Sequence, residues 1–95
     1  MLTIGKIKEG IDIVANEYPI KKVDLFGSYA NGTNHEMSDV DLLVEFITTS
    51  ISLLTLNELK YRLEEIYDMG VDVIHAPLDA ETMIEIGKVV PLYES

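Results

Sequence analysis

The sequence has 95 residues, a formal net charge of −10 and no cysteine. This length predicts a single domain over residues 1–95, and the missing thiols exclude disulfide bonds and cysteine catalysis. The acidic excess argues against direct binding of nucleic acid, whose phosphates dominate affinity, and no apolar run is long enough to cross a bilayer. With no secretory signal pattern at the start of the chain, we expect a cytoplasmic protein.

Helices and strands are predicted to alternate along the chain. Apolar residues recur every three or four positions where we expect helices, and every second position where we expect strands. In chain order, the predicted elements are a helix from about Thr3 to Glu17, a strand Lys21–Phe26, a short helix from Ser28, a strand Asp39–Phe46, a helix from Ser52 that residues 68–70 close, a strand Val71–Ala76 and a helix from Asp79 to about Val89. Gly70 is expected to cap the third helix in a left-handed conformation, and Pro91 to end the last helix before a short tail.

The connections between the strands predict how the sheet is assembled. A short loop joins the first two strands, which favours antiparallel pairing, whereas a full helix joins the second and third strands, which favours a parallel, right-handed crossover. The predicted fold class is therefore α/β (α+β). It is a small mixed sheet with helices packed on it, in the order α-β-α-β-α-β-α.

Two aspartates, Asp39 and Asp41, begin the most apolar strand of the sequence. Strand side chains alternate, so both carboxylates project to one face and repel each other when ionised. A third carboxylate, Asp72, interrupts the next strand and falls beside Asp41 if the two strands are parallel. Carboxylate oxygens are the ligands that Mg²⁺ prefers, and three of them can hold two ions about 3.5–4 Å apart, the spacing used in phosphoryl chemistry.

Gly27 and Ser28 lie at the turn from the first strand into the short helix. The glycine lets a phosphate approach the backbone, and the first N–H groups of a helix together with the serine hydroxyl can bind its oxygens. Each residue also has a simpler interpretation. Ser28 alone suits a helix cap, Asp39 alone a strand-entry cap, and Asp72 alone a solvent-facing strand residue. The combination favours a phosphate-transfer site.

This combination resembles the signature of the nucleotidyltransferase superfamily that includes DNA polymerase β and kanamycin nucleotidyltransferase. The segments that carry the resemblance to its minimal bacterial and archaeal members are Leu25–Ala30, Ser38–Phe46, Val71–Val73 and Val90–Tyr93. The resemblance implies a polymerase β-like core, nucleotide phosphates held by Gly27 and Ser28, and catalytic, magnesium-binding carboxylates at Asp39, Asp41 and Asp72. One position departs from the family: Asn31 stands where an arginine is usual. Lys60 or Arg62 could supply the missing positive charge.

Minimal nucleotidyltransferases of this type are similar to the antitoxin partners of HEPN-domain toxins. The resemblance therefore implies that the chain uses ATP and Mg²⁺ to adenylylate a hydroxyl of a basic HEPN-type toxin. Two alternatives remain open. The chain could neutralise a toxin by binding alone, which Asn31 favours, or act on an antibiotic hydroxyl as a homo-oligomer whose interface forms the acceptor cleft.

Overall fold

The fold is described from a computed structural model that covers residues 2–33, 38–48, 50–76 and 87–95. Its elements are α1 (Ile4–Ala15), β1 (Ile20–Phe26), α2 (Ser28–Asn31), β2 (Val40–Phe46), α3 (Leu53–Tyr67), β3 (Val71–Ala76) and β4 (Val90–Glu94). Most of the predicted last helix falls on residues 77–86, which lie outside the described residues, and residues 87–89 are not helical.

One four-stranded mixed sheet, in the order β3-β2-β1-β4, organises the domain. β1 and β2 pair antiparallel, and β2 and β3 pair parallel across the α3 connection, so both pairing predictions are confirmed. The predicted tail was wrong, because β4 pairs antiparallel with β1. Pro91 does not prevent this, since an edge strand tolerates a residue without an N–H group on its outer side.

The apolar core lies between one face of the sheet and the helices α1 and α3. Side chains on that face alternate along β2 with Asp41, Leu43 and Glu45, which project to the other face. The fully buried members of the core are Ile7, Ile11, Val14, Ile20, Val23, Leu25, Val40, Leu42, Val44, Leu59, Leu63 and Val71. In the described ranges, no helix combines the length and the apolar character needed to cross a membrane.

Side-chain caps begin helices α1 and α3, and one close contact joins the two helices. The Thr3 Oγ1 atom accepts from the Lys6 N–H at 3.2 Å, and the Ser52 hydroxyl accepts from the Thr55 N–H at 3.2 Å, so each helix begins with a side-chain cap. The helices meet where the Tyr67 hydroxyl donates to the carbonyl of residue 7. A methyl group on Gly10 would lie 2.7 Å from that hydroxyl, so only glycine allows this approach.

The end of α3 differs from the prediction. Asp68, not Gly70, adopts the left-handed conformation, with φ 56° and its N–H donating to the Glu64 carbonyl at 2.8 Å. The Glu64 side chain then accepts from the Val71 N–H at 3.1 Å. The cap of α3 therefore lies two residues earlier than expected. Gly70, immediately before β3, does not cap the helix.

Candidate active site

Three aspartates meet at the end of the sheet where β2 and β3 begin. Asp41 and Asp72 stand directly opposite each other in the parallel pair, as the sequence predicted. Asp41 is half-buried on the face of β2 away from the core, whereas Asp72 and Asp39 are exposed. The site therefore has one sheltered carboxylate with an accessible carboxylate on either side of it.

The surroundings of the Asp41 carboxyl group disfavour its ionised form. Burial, followed by the charge and hydrogen bonding of Asp72 and then the charge of Asp39, raises the pKa of Asp41 from 3.8 to about 6. Desolvation and neighbouring negative charge both disfavour the ionised carboxyl, so they act in the same direction. Among the described residues, the charges that act on Asp41 are those of Asp72 and Asp39, both negative, which indicates a place for a cation.

The turn after β1 packs directly against this carboxylate. Gly27 has φ 75°, a conformation that side chains rarely adopt, and a methyl group there would collide with the Asp41 Oδ2 atom. Gly27 is also the cap residue of α2, without a side-chain hydrogen bond, and Ser28 is the first helical residue. The interpretation of Ser28 as a simple capping serine is therefore wrong.

The short helix α2, which follows Gly27, has backbone N–H donors at the same turn. The Asn31 N–H donates to the Gly27 carbonyl at 3.0 Å, which is the first bond of the α2 turn. The preceding N–H groups, beginning with that of Ser28, have no acceptor within the helix. They can donate to phosphate oxygens beside Asp41.

A second glycine contact holds the exposed aspartate of β2, and sequence reasoning missed it. A methyl group on Gly70 would collide with the Asp39 Oδ1 atom, and the Gly70 carbonyl accepts from the Val40 N–H at 3.0 Å. The Tyr29 hydroxyl donates to the Met69 sulfur at 3.5 Å, which ties α2 to the same turn. The sequence feature that could have indicated this contact is Gly70 itself, a glycine immediately before the predicted strand Val71–Ala76.

Neither of the two cations suggested for the site, Lys60 and Arg62, lies on the face of the sheet that carries Asp41. Arg62 makes two bonds to Glu17, at 3.0 and 3.1 Å, and a third to Glu65 at 3.2 Å, so it is committed to an ion-pair cluster on the helix layer. Lys60 lies on the same helix, across the sheet from Asp41. The suggestion of Arg62 as the compensating charge was wrong.

The two histidines stand apart from this chemistry as far as they are described. His35 lies outside the described residues. His75 is opposite Val44 in the parallel pair, and its ring meets the edge of Phe46 with centroids 5.5 Å apart. His75 therefore lies on the face of the sheet opposite Asp72.

The donor chemistry of the site fits a divalent cation. In the described ranges no three acidic, histidine or cysteine side chains are already drawn together around one point, because Asp39 lies against Gly70. Asp41 and Asp72 are adjacent, however, and the pKa of Asp41 is raised first by burial and then by the negative charges of Asp72 and Asp39, which a cation would offset. Hard carboxylate oxygens are the ligands that Mg²⁺ takes. Asp41 and Asp72 would hold the ion, with Asp39 turning toward it.

Comparison with known proteins identifies a matching family and similar sequences. The sequence model of the nucleotidyltransferase domain matches residues 7–93. A Methanocaldococcus jannaschii protein named as a putative protein adenylyltransferase is 42% identical over 73 residues, covering 77% of this chain and 77% of that protein. The similarity in sequence therefore extends over most of both chains.

Two solved structures share the fold. A crystal structure of a toxin-antitoxin with AMP-PNP gives a TM-score of 0.78 at 22% identity, over 93% of this chain and 73% of that chain. A tri-AMPylated Shewanella oneidensis HEPN toxin in complex with MNT antitoxin gives a TM-score of 0.71 at 18% identity, over 95% of this chain and 71% of that chain. At these identities the likeness establishes a common fold.

Proposed function

The chain belongs to the nucleotidyltransferase domain family, and on that premise we propose that it transfers AMP from ATP to a hydroxyl group of a HEPN-type toxin and acts as the antitoxin. The observation that carries the proposal is the pairing of Asp41 with Asp72 beside the Gly27 turn. The relative named as a protein adenylyltransferase and the fold shared with an AMPylated toxin complex support the choice of acceptor.

Each residue has a defined role in the proposed reaction. Gly27 and Ser28 would bind the phosphates, and Asp39, Asp41 and Asp72 would hold the two proposed Mg²⁺ ions. When bound, Mg²⁺ neutralises charge on the transferring phosphate. The two exposed carboxylates leave the site open to a second protein, whereas Asp41 is sheltered by the turn.

Asp72 is proposed as the proton acceptor. The acceptor hydroxyl oxygen forms a bond to the α-phosphorus, the bond from that phosphorus to the bridging oxygen breaks, and pyrophosphate leaves. The proton of the hydroxyl passes to the Asp72 carboxylate, which is the exposed member of the facing pair. The transfer therefore requires no reactant beyond ATP and the acceptor hydroxyl.

The direct test is label transfer to a purified partner toxin. The chain is incubated with α-labelled ATP, MgCl₂ and the HEPN-type protein, and the partner is examined by mass spectrometry for added AMP. We expect transfer by the native chain and by Asp12→Asn, a matched change on exposed α1, but none by Asp72→Asn, which should still bind the partner. Transfer by Asp72→Asn at the native rate would refute the role of Asp72.

A second function is favoured by one observation. Asn31 lies exposed at the end of α2, and it can donate hydrogen bonds to a phosphate but cannot neutralise it. The chain could then neutralise its toxin by contact alone. The double variant Asp39→Asn, Asp41→Asn separates the two functions, because it should abolish toxin neutralisation if transfer is required and preserve it if contact is sufficient.

A further inference from the structure

A nucleotide triphosphate brings more negative charge to a site whose own carboxylates already repel, so the source of positive charge matters. All seven lysine and arginine residues lie within the described residues. Three of them are already paired with carboxylates: Lys21 with Glu45 at 3.2 Å, Lys22 with Asp24 at 3.6 Å, and Arg62 with Glu17 and Glu65. No ion pair to a carboxylate of the described residues is seen for the other four lysines.

Three of the remaining lysines belong to the helix layer. Lys6 and Lys8 lie on α1, and Lys60 lies on α3. Both helices pack on the face of the sheet that carries the buried apolar residues of β2, whereas Asp41 projects from the other face. The sheet therefore separates these three ammonium groups from the paired aspartates.

The fourth lysine, Lys88, lies two residues before the start of β4. Leu25 of β1 stands opposite Val90 of β4 in the antiparallel pair. Gly27 follows Leu25 by two positions and Lys88 precedes Val90 by two, so the register brings both to the same end of neighbouring strands. Strands in a sheet lie about 4.8 Å apart, a distance that the long, flexible lysine side chain can span.

The local backbone supports this placement. Gly87 has φ 76°, and no neighbouring atom lies within 4 Å of the position that a methyl group would take, so glycine serves the backbone conformation there rather than a close contact. The chain thereby turns into β4 immediately before Lys88, which is exposed. The register therefore places Lys88 at the end of the sheet that carries Gly27.

We propose that Lys88 is the phosphate-binding cation of this chain and pairs with the β- and γ-phosphates of a nucleotide held at Gly27 and Ser28. The inference rests on the proposed function, since it requires a nucleoside triphosphate at this turn. It assigns to β4 the charge that Asn31 does not supply from α2. AMP, which lacks the two outer phosphates, gains little from Lys88.

The test compares nucleotide affinity among four full-length proteins: native, Lys88→Gln, Lys88→Arg and Lys8→Gln. Lys8→Gln removes the same charge from an exposed position on α1 and serves as the matched control. Binding of a non-hydrolysable ATP analogue and of AMP is measured by calorimetry in MgCl₂. Because charge-assisted hydrogen bonds are strong, we expect Lys88→Gln to weaken binding of the ATP analogue about tenfold or more. Lys88→Arg and Lys8→Gln should bind it like the native chain, and AMP affinity should stay equal throughout.

The outcomes separate this inference from the function beneath it. Native binding of the ATP analogue together with equal affinities of Lys88→Gln and Lys8→Gln would overturn the role of Lys88 alone. An equal loss for AMP and the ATP analogue in Lys88→Gln would also overturn it, because the outer phosphates would not be the target. A native chain that binds neither nucleotide would overturn both. Equal melting temperatures of the four proteins confirm that affinity, not folding, is compared.

Discussion

At the scale of single residues, Asp41 links stability to pH. Its pKa is about 6 in the folded chain against an ordinary value of 3.8. Between these values the folded state keeps a proton that the unfolded state has lost, so the contribution of Asp41 to stability is fully present below about pH 4 and is lost as pH rises through 6. Asp41 is only half-buried, and solvent screening reduces the effect to about 1 kcal/mol.

The variant Asp41→Asn should remove this dependence. We expect it to unfold at higher urea concentration than the native chain at pH 7.5, and to lose the difference between pH 4.5 and pH 7.5 that this carboxyl causes. Asp12→Asn, on exposed α1, should follow the native profile. Parallel profiles of free energy of unfolding against pH for the native chain and Asp41→Asn would contradict the assignment.

Gly27 is expected to tolerate no side chain. Alanine at Gly27 must adopt a positive φ, which costs about 1–2 kcal/mol, and its methyl group would displace the Asp41 carboxylate. We therefore expect Gly27→Ala to be destabilised by about 2 kcal/mol and to lose AMP transfer. Gly5→Ala is the control, because the nearest atom to its methyl position, Thr3 Oγ1, is 3.9 Å away. Native activity of Gly27→Ala would be inconsistent with this contact.

Other residue contacts explain what sequence could and could not predict at the site. The pairing of Asp41 with Asp72 follows from two local rules, alternation along a strand and a helical crossover between parallel strands, and both were readable in the chain. The contacts of Gly27 with Asp41 and of Gly70 with Asp39 were not. They depend on how closely two turns, distant in sequence, approach the same strand.

At the scale of elements, β4 is the largest departure from the prediction. Pro91 is a strong signal for the end of a helix, and five residues containing it give little alternation to indicate a strand. What decides the outcome is tertiary: the outer edge of β1 offers unpaired backbone groups, and Leu92 fills the core at 2% exposure. Local preference was overridden by pairing with a strand from the first third of the chain.

The role of β4 in the core can be measured. Leu92→Ala removes a buried side chain and should lower the free energy of unfolding by about 2–3 kcal/mol, as large-to-small core changes do. Leu54→Ala, at a position 69% exposed on α3, is the matched control and should be nearly neutral. Urea denaturation of both variants provides the comparison, and equal midpoints would show that Leu92 does not hold β4 on the core.

At the scale of the whole molecule, the net charge of −10 favours a basic partner. Long-range attraction between opposite charges speeds encounter and is screened by salt. If the proposed partner is a basic HEPN-type toxin, its association rate should fall about tenfold or more between low and high salt, with a smaller change in the dissociation rate. Stopped-flow measurements across a salt series provide the test, and an association rate independent of salt would exclude electrostatic steering.

The sheltered position of Asp41 also has a consequence for proton counting. At pH 5 to 6 a substantial fraction of this carboxyl carries a proton, which must leave before its oxygens can bind a metal ion. Magnesium uptake should therefore release protons, and the observed calorimetric heat should vary with the ionisation enthalpy of the buffer. Apparent magnesium affinity should increase with pH up to about 6 and then level off. In Asp41→Asn the heat contributed by this proton should disappear.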